Sequence, residues 1–341
     1  TRPQSPVSPN GMWVAMVSLC IGLGSGLALC RIFEWLDTSF RGPDDVEWHM
    51  RLPILGHVPH ISGKTDVELW ARTKPRSAET EAFRALRSAI LFAPSLPRRL
   101  LVTSPETGDG KTLLVTNLAI VLAQSGRRTL ILDADLRRPR IRELFDGKRS
   151  GGVCGLLRDA QLSPEKLAAE IQPTEVENLS ILCSGPRPSN PAELLINPRF
   201  QQVLDWAGER FDHVLIDSPP VLAVTDACIL GQAGDAVLLV LKADKSDRDN
   251  AVRARDTLVS MNCKVLGVAM NDIHVKNAYG YYYYGYGRHG HRRTDYAAYS
   301  AAPEDNSGKD PDAAADDEAA AAEDAVEVDA DGAPQVDPIA Q

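Results

Sequence analysis

The sequence predicts an α/β fold with a mainly parallel, doubly wound sheet, preceded by one transmembrane helix and followed by a disordered tail. Three observations support this prediction. Apolar runs alternate with helical patterns from Arg98 onward, a 19-residue stretch near the start has no charge, and the composition changes after Asn277. Alternating strand and helix patterns are typical of a sheet with helices on both faces. With 341 residues, of which 44% are apolar, the chain can bury a large core.

The pattern of apolar residues places the elements of this sheet along the chain. Strands are predicted at 99–104, 129–134, 179–183, 213–217, 235–241 and 264–270. Helices are predicted at 111–125, 138–146, 191–208, 225–232 and 247–261. An amphipathic helix is also predicted from Ser77 to Phe92, because Phe83, Leu86 and Ile90 recur on one side of it.

The uncharged stretch runs from Met12 to Cys30 and predicts a membrane span. As a helix it is about 28 Å long, close to the hydrocarbon thickness of a bilayer. A secretory signal is the alternative, since Leu27 to Cys30 resembles a lipoprotein cleavage site. Leu29 is too large for the residue before that cleavage. We therefore expect a membrane anchor, with the remainder of the chain cytoplasmic.

Charge and cysteine usage exclude several classes of partner. Residues 303–341 hold 13 of the 46 acidic residues and one of the 37 basic ones, a net charge of −12. The rest of the chain carries 36 − 33 = +3, a balance that implies no nucleic-acid partner. The six cysteines form no Cys-x-x-Cys pair, so we expect reduced thiols rather than disulfides or zinc.

A glycine-containing loop between a predicted strand and a predicted helix forms a candidate phosphate site. Gly108 and Gly110 let backbone N–H groups converge, and the helix N-terminus adds partial positive charge. Lys111 can reach the β- and γ-phosphates of ATP, and the Thr112 hydroxyl can bind Mg²⁺. Pro105 departs from the strict Walker A pattern, which has glycine there. The candidate nucleotide-binding residues are Gly108, Asp109, Gly110, Lys111, Thr112, Leu113 and Asn271.

Two further predicted strands end in carboxylates. Together with the glycine-containing loop, they predict a P-loop NTPase. One ends in Asp133 and Asp135 with Arg137 close behind, and the other ends in Asp217 followed by Ser-Pro-Pro. The carboxyl ends of strands are where open α/β sheets build their sites. Asn271 closes another strand, where an adenine contact and a plain Asx-turn are both open readings.

These three segments together resemble the bacterial tyrosine kinases of polysaccharide co-polymerases, known as BY-kinases. The resemblance rests on residues 104–112, 130–137 and 214–220 as Walker A, A′ and B motifs. It implies an ATP- and Mg²⁺-dependent tyrosine autokinase that regulates exopolysaccharide or capsule production. The protein would be anchored in the bacterial inner (plasma) membrane, with its kinase domain in the cytoplasm. Implied partners are a homo-oligomeric ring, other polysaccharide export and polymerisation proteins, and a phosphotyrosine phosphatase.

The resemblance also implies roles for the carboxylates and for Arg137. Thr112, Asp133 and Asp217 are the candidate Mg²⁺ ligands. Asp133 or Asp135 would accept the proton of a tyrosine hydroxyl; the family favours Asp133, whereas spacing alone does not decide. Arg137 would either stabilise the transferred charge or pair with Asp135, and both remain open.

Two more features match the family outside the nucleotide motifs. Glu81, Arg84 and Arg87 form an E-x-x-R-x-x-R pattern, which implies contacts between protomers of a ring; ordinary ion pairs within one helix are the alternative. All eight tyrosines lie between 279 and 299, as expected for a segment that the kinase itself modifies. The candidate phosphoacceptors are Tyr279, Tyr281, Tyr282, Tyr283, Tyr284 and Tyr286.

The predicted organisation has six parts. These are a Pro-rich extracytoplasmic approach (1–10), the transmembrane helix (11–33), a juxtamembrane connector (34–76), the kinase domain (77–277), the tyrosine cluster (278–299) and an acidic disordered tail (300–341). Two other functions fit a P-loop of this kind. One is a partition-type ATPase, which usually has an additional lysine in the loop, and the other is an ATP-binding scaffold without kinase activity.

Overall fold

The computed structural model describes residues 11–36, 38–40, 43–63, 67–94, 96–159 and 161–274. The Pro-rich segment, the tyrosine cluster and the acidic tail lie outside these residues. The helices are α1 (Gly11–Leu36), α2 (Pro43–Met50), α3 (Trp70–Thr73), α4 (Ala78–Leu91), α5 (Lys111–Gln124), α6 (Ile141–Leu144), α7 (Gly152–Arg158), α8 (Pro164–Glu170), α9 (Pro191–Ile196), α10 (Pro198–Arg210), α11 (Asp226–Ala233) and α12 (Arg248–Ser260). The strands are β1 (Ile54–Pro59), β2 (Arg99–Thr103), β3 (Thr129–Asp133), β4 (Gln172–Pro173), β5 (Leu179–Leu182), β6 (His213–Asp217), β7 (Ala236–Lys242) and β8 (Val265–Ile273).

The eight strands form one sheet in the order β1-β8-β7-β2-β6-β3-β5-β4. Every neighbouring pair is parallel except β4 with β5. The predicted mainly parallel α/β fold and its six strands are therefore confirmed. Because the strands run in one direction, β2, β3, β6 and β8 bring the ends of the candidate motifs to the same edge of the sheet.

Side chains alternate between two cores, one on each face of the sheet. Along β2, Leu101 belongs to one buried cluster, while Leu100 and Val102 belong to the other. All five residues of β3 and of β6 are buried. Strands buried on both faces read as continuous apolar runs, which is why the sequence identified them without an alternating pattern.

Helices α4 and α5 pack on one face of the sheet beside the phosphate loop. The predicted amphipathic helix is confirmed as α4, with Ser77 as its N-cap and Phe83, Leu86 and Ile90 in the core. Helix α5 is buried along most of its length, and no acidic or basic side chain follows Lys111 in it. Because its apolar side chains pack in the core, α5 holds the end of the preceding loop in place.

Three predictions about the elements need correction. No strand is predicted before Arg99, yet β1 lies in the connector and pairs with β8 in the sheet. The single helix predicted at 191–208 is instead α9 and α10, because Pro198 disfavours a helical conformation of the preceding residue, Asn197. The helix at 138–146 is shortened to α6, and α7 and α8 had no predicted counterpart.

The segment between α1 and α2 is tied to the loop between β7 and α12. Phe40 is fully buried, its N–H donates to the Ser246 carbonyl at 3.3 Å, and its carbonyl accepts from Asp244 N–H at 3.1 Å. The Arg248 N–H donates to the Thr38 carbonyl at 3.0 Å. These contacts fix the 244–248 loop, which also reaches the phosphate loop.

Among the described residues, one helix is long and apolar enough to cross a membrane. The span runs from Gly11 to Ile32 with a mean hydropathy of 1.9, and its side chains are exposed. All six cysteines are free; Cys20 and Cys30 lie exposed on this helix, and the other four are buried.

Candidate active site

The loop between β2 and α5 has the backbone shape of a phosphate cradle. Gly108 and Gly110 have φ angles of +82° and +94°, a region that residues with side chains rarely adopt. A Cβ atom on Gly110 would also overlap the side-chain amide of Asn271. Both glycines are therefore required by the local geometry, and the loop leads directly into the N-terminus of α5 at Lys111.

Two side chains from distant parts of the chain hold this loop in place. The Asn271 amide nitrogen donates to the Asp109 carbonyl at 2.9 Å. The Lys245 Nζ donates to the Thr107 carbonyl at 2.7 Å and lies 3.2 Å from the Asp109 carboxylate. The other oxygen of Asp109 accepts from the Glu106 N–H at 3.2 Å.

These contacts revise one prediction and add a residue that the sequence analysis missed. Of the two roles open for Asn271, the Asx-turn is wrong, because Asn271 lies within β8, where its side chain donates to the phosphate loop; the adenine contact stays a prediction. Lys245 lies 134 positions after Lys111 and outside every motif. Its loop follows a buried strand, and that position at the active edge of the sheet is the one signal that could have indicated it.

Lys111 begins α5 and is nearly buried, with 9% of its surface exposed. Its Nζ donates to the Ser104 hydroxyl at 3.1 Å. Burial lowers the pKa of Lys111, although the nearby Asp217, Asp109 and Asp135 carboxylates favour the charged form and oppose this shift. The ammonium group thus stays within the loop, where phosphate oxygens are expected to bind.

Asp217 ends β6 directly beside the phosphate loop. The Thr112 hydroxyl donates to its Oδ2 at 2.9 Å, and its Oδ1 is buried without a hydrogen-bond partner among the described residues. Burial raises the pKa of Asp217 to about 7, against the opposing effects of the Thr112 hydrogen bond and the charge of Lys111. Such a carboxylate is poised to change its ionisation near neutral pH.

Asp133 ends the neighbouring strand β3, where it is the register partner of Asp217. It is fully buried, and neither carboxylate oxygen has a hydrogen-bond partner in the described part of the chain. Burial raises the pKa of Asp133 well above its ordinary value, and the charges of Asp217 and Asp135 raise it further. The N–H groups of Ile141 and Asp135 oppose this shift but do not reach hydrogen-bond geometry.

The residues present fit both a nucleotide and Mg²⁺. Buried carboxylate oxygens without partners need an explanation, and a bound cation supplies one. Mg²⁺ prefers oxygen ligands and is usually held by one or two carboxylates together with substrate phosphates. No group of three or more His, Cys, Asp or Glu side chains forms a ready metal cage within the described ranges. Thr112, Asp133, Asp217 and phosphate oxygens are thus the donors that would hold the ion.

Asp135 and Arg137 are both committed to other contacts. Asp135 Oδ1 accepts the backbone N–H of Arg137 at 3.2 Å and of Arg138 at 2.9 Å, which closes the turn after β3. The Arg137 guanidinium donates two parallel hydrogen bonds, at 2.8 and 2.9 Å, to the fully buried Asp226 at the start of α11. The suggested pairing of Arg137 with Asp135 is thereby corrected: its guanidinium pairs with Asp226, and only its backbone reaches Asp135.

The E-x-x-R-x-x-R residues divide into two kinds. Glu81 and Arg84 form an ion pair within α4, and 59% of the Glu81 side chain is exposed. Arg87 donates to the Val121 carbonyl in the last turn of α5 at 2.9 Å, and burial lowers the pKa of its guanidinium. Arg87 therefore helps to cap α5, whereas Glu81 and Arg84 remain on the surface.

Comparison with known proteins decides the family. A family model described as an AAA domain matches residues 100–249. The tyrosine-protein kinase YwqD of Bacillus subtilis is 36% identical over 218 residues, which cover 63% of this chain and 90% of that protein. The chain belongs to the bacterial tyrosine kinase family.

Two further comparisons define how far the likeness to other bacterial tyrosine kinases extends. The solved BceF tyrosine kinase domain is 34% identical, with a TM-score of 0.63, and the match covers 69% of this chain and 99% of that domain. The tyrosine-protein kinase ptk of Acinetobacter johnsonii is 33% identical over 291 residues, or 81% of this chain. This chain spans 39% of the length of that relative.

Proposed function

We propose that this chain is an ATP-dependent protein-tyrosine autokinase that phosphorylates its C-terminal tyrosine cluster. The observation that carries the proposal is the pair of buried carboxylates, Asp133 and Asp217, beside a formed phosphate loop. Their free oxygens face no partner among the described residues. Family membership supports the same reaction, since relatives such as YwqD are named tyrosine-protein kinases.

The phosphate loop and its supports would bind and orient ATP. Backbone N–H groups around Gly108 and Gly110, with the N-terminus of α5, would hold the phosphates, and Lys111 would contact the β- and γ-phosphates. A bound Mg²⁺ would neutralise charge on the transferred phosphoryl group. Asn271 and Lys245 would keep the loop closed, so that the phosphate site exists before ATP arrives.

Asp133 is the stronger candidate for the base that accepts the tyrosine proton. A useful general base has a pKa near the working pH, and burial moves the pKa of Asp133 upward from its ordinary value. Asp135 is the weaker candidate, because its Oδ1 already accepts two backbone N–H groups. Arg137 would act as a positioning residue, since Asp226 holds its guanidinium.

The chain would work as a membrane-anchored homo-oligomer. Helix α1 would lie in the inner membrane and the kinase domain in the cytoplasm. The exposed Glu81 and the half-buried Arg84 would contact a neighbouring protomer in a ring. The tyrosine cluster of one protomer would enter the active site of the next. Following the family resemblance, phosphorylation would control exopolysaccharide or capsule export together with polymerisation proteins, and a phosphotyrosine phosphatase would reset it.

The test is to incubate the purified full chain with ATP and Mg²⁺, and to map phosphotyrosine by immunoblot and mass spectrometry. We expect label within residues 279–286. Mixing a Lys111→Met chain, tail intact, with an active chain whose cluster tyrosines are all Phe should place label on the inactive partner. A chain that hydrolyses ATP without forming phosphotyrosine would be a partition-type ATPase, and one that binds ATP without turnover would be a scaffold.

The ring has a separate test. A triple Ala variant at Glu81, Arg84 and Arg87 should run as a monomer in sizing experiments and lose autophosphorylation at low concentration. Because Arg87 also contacts α5, a Glu81→Ala/Arg84→Ala double variant serves as the cleaner probe. An unchanged oligomer in both variants would return Glu81 and Arg84 to an ordinary ion pair within the helix.

A further inference from the structure

Strand β8 contains one residue whose backbone does not fit a regular strand. Asp272 has a φ angle of +64°, and it is the one non-glycine residue of the described strands with a positive φ angle. Residues with side chains rarely adopt this left-handed conformation, although aspartate and asparagine tolerate it better than most others. Such a conformation persists only where the surrounding contacts hold it in place.

Asp272 also lies at an irregularity in the pairing of β8 with β1. Residues 57–59 of β1 pair with residues 270–273 of β8, so two steps along β1 correspond to three steps along β8. The additional residue makes this a β-bulge, and bulges beside active sites commonly redirect a neighbouring side chain. The neighbour here is Asn271, whose amide donates to the Asp109 carbonyl of the phosphate loop at 2.9 Å.

The Asp272 carboxylate links three neighbouring strands at this bulge. The His60 Nδ1, directly after the end of β1, donates to the Asp272 Oδ1 at 2.5 Å. The Lys242 Nζ, at the end of β7, lies 2.7 Å from the Asp272 Oδ2. Strands β7 and β1 are the two neighbours of β8 in the sheet. We call these three side chains the Asp272 bridge.

The contacts of the Asp272 bridge keep its carboxylate ionised. Burial would raise the pKa of Asp272, but the hydrogen bonds and charges of Lys242 and His60 outweigh burial and lower it. Because an ionised carboxylate only accepts hydrogen bonds, the His60 Nδ1 carries the proton between them. Only 20% of the Asp272 side chain is exposed, so water screens this bridge less than it screens an ordinary surface ion pair.

The backbone on both sides of Asp272 is fixed, so its own conformation decides the direction of Asn271. The Ala243 N–H donates to the Asn271 carbonyl, and the His60 N–H donates to the Ile273 carbonyl, both at 2.9 Å. Asn271 also has little room to move.

Its side chain is buried, and a Cβ atom on Gly110 would lie 1.9 Å from its amide nitrogen. If Asp272 relaxed to ordinary strand angles, the Asn271 amide would therefore turn away from the phosphate loop.

We propose that Asp272 is a positioning residue for the nucleotide site. Its bridge to His60 and Lys242 holds the bulge that directs Asn271 into the phosphate loop, and thereby raises the affinity for ATP. The bridge acts through Asn271 rather than through contact with ATP. This inference rests on the ATP binding proposed above.

Nucleotide binding by the full chain, held in nanodiscs, measures the effect. Asp272→Ala should weaken the binding of a non-hydrolysable ATP analogue with Mg²⁺ about tenfold in calorimetry, because both bridge contacts are lost. Asp272→Asn keeps an oxygen acceptor and tolerates a positive φ angle, so it should retain most of the affinity. His60→Ala/Lys242→Ala removes both partners and should reproduce the loss. In phosphorylation assays, Asp272→Ala should raise the KM for ATP and change kcat by less than about twofold.

A double-mutant cycle separates positioning from an independent effect of Asp272. Asn271→Ala should weaken binding of the analogue at least as much as Asp272→Ala does. If Asp272 acts through Asn271, adding Asp272→Ala to Asn271→Ala should weaken binding by less than about twofold more. Two losses that multiply to about a hundredfold would overturn the proposal.

Asp212→Ala is the matched control. Asp212 also links two strand ends, since it pairs with Arg128 at 3.2 Å, but it lies at the opposite ends of the strands. This variant should bind the analogue as tightly as the unaltered chain. An unchanged affinity in Asp272→Ala, or an equal loss in Asp212→Ala, would overturn the proposal.

Hydrogen exchange tests the positioning without any nucleotide. In the nucleotide-free chain, the peptide 105–114 should exchange faster in Asp272→Ala than in Asp212→Ala, because the phosphate loop is no longer held by Asn271. Equal exchange in the two variants would overturn the proposal. If the unaltered chain binds no analogue, the proposed ATP-binding function is refuted, and the exchange experiment still decides whether Asp272 positions the loop.

Discussion

Aspartates at the amino ends of the parallel strands and aspartates at their carboxyl ends have opposite environments; we call these two sides of the sheet its amino edge and its carboxyl edge. At the amino edge, Asp235 accepts the N–H groups of Arg98 and Arg99 at 3.0 and 2.8 Å, and pairs with the Arg99 guanidinium at 2.7 Å. At the carboxyl edge, Asp133 and one oxygen of Asp217 are buried with no hydrogen-bond partner in the described chain. Aspartate thus links neighbouring strands through hydrogen bonds at the amino edge, whereas at the carboxyl edge its oxygens lack hydrogen-bond partners among the described residues.

The pKa values of these aspartates follow the same division. Burial alone would raise the pKa of Asp235, but the hydrogen bonds and charge of Arg99 outweigh it and lower the pKa. Burial raises the pKa of Asp217 and of Asp133 with too little compensation. Buried groups left in this state destabilise a fold and cluster at functional sites, so the comparison assigns structure to the amino edge and chemistry to the carboxyl edge.

The largest effect should come from removing the cation of the phosphate loop. Lys111→Met should lower tyrosine phosphorylation by at least about 10²–10³-fold, because the charge opposite the developing phosphoryl group is lost. The fold should persist, with an unchanged circular dichroism spectrum, since the Lys111 ammonium contacts the Ser104 hydroxyl and belongs to neither core. Full labelling of this variant, purified free of other kinases, would contradict the assignment.

The next effect concerns pH. Because the pKa of Asp217 is about 7 in the folded chain and lower when unfolded, the folded chain binds more protons between about pH 4 and 7. Its contribution to stability is therefore greatest at the acidic end and is lost as pH rises toward 7.

Asp217→Asn should remove this part of the pH dependence. Chemical denaturation of the nucleotide-free chain at pH 5 and 7.5 measures the difference from wild type. At about 1.4 kcal/mol per pKa unit, the two pH units between pH 5 and a pKa of about 7 should change that difference by roughly 2–3 kcal/mol. If the free energy of unfolding depends on pH in the same way in both proteins, the pKa of Asp217 is not raised in the folded chain.

A smaller effect should follow from opening the phosphate loop. Lys245→Ala removes the contacts to Thr107 and Asp109, so the KM for ATP should rise about tenfold while kcat changes less. Lys245→Arg should retain most of the affinity because it keeps the charge and donors. Lys264→Ala is the matched exposed control. A fall in kcat at unchanged KM would instead place Lys245 in the chemical step.

The amino edge should respond in stability alone. Asp235→Asn weakens the hydrogen bonds and the ion pair that link the start of β7 to the start of β2. The free energy of unfolding should therefore fall by about 1–3 kcal/mol. The initial phosphorylation rate below the melting range should stay within about twofold of wild type. A large loss of rate in a folded Asp235→Asn protein would break the division between the two edges.

The sequence predicts the motifs of this site better than their supports. Local sequence patterns of a strand, a tight loop and a helix are enough to locate Gly110, Lys111, Thr112 and Asp217. Lys245 and the clamping role of Asn271 arise only when distant strands pair, and no local pattern contains that information.

The same limit explains the errors in the fold. β1 is a six-residue strand that follows Pro53 and ends at Pro59, and its partner in the sheet is β8, more than 200 residues away. Arg137 has Asp135 two positions before it, yet it pairs with Asp226 because α11 brings a buried carboxylate to it. Tertiary contacts thus decide what local spacing leaves open.

The most direct test of the account measures rate and stability together in Asp133→Asn. The account predicts a fall in the initial rate of tyrosine phosphorylation of about 10²–10⁴-fold, as expected for loss of a general base. It also predicts an unfolding free energy equal to or above that of wild type, since asparagine cannot ionise and the cost of a buried charge at this position is avoided. A rate within about threefold of wild type, or a rate that falls only in proportion to lost folded protein, would contradict the central claim.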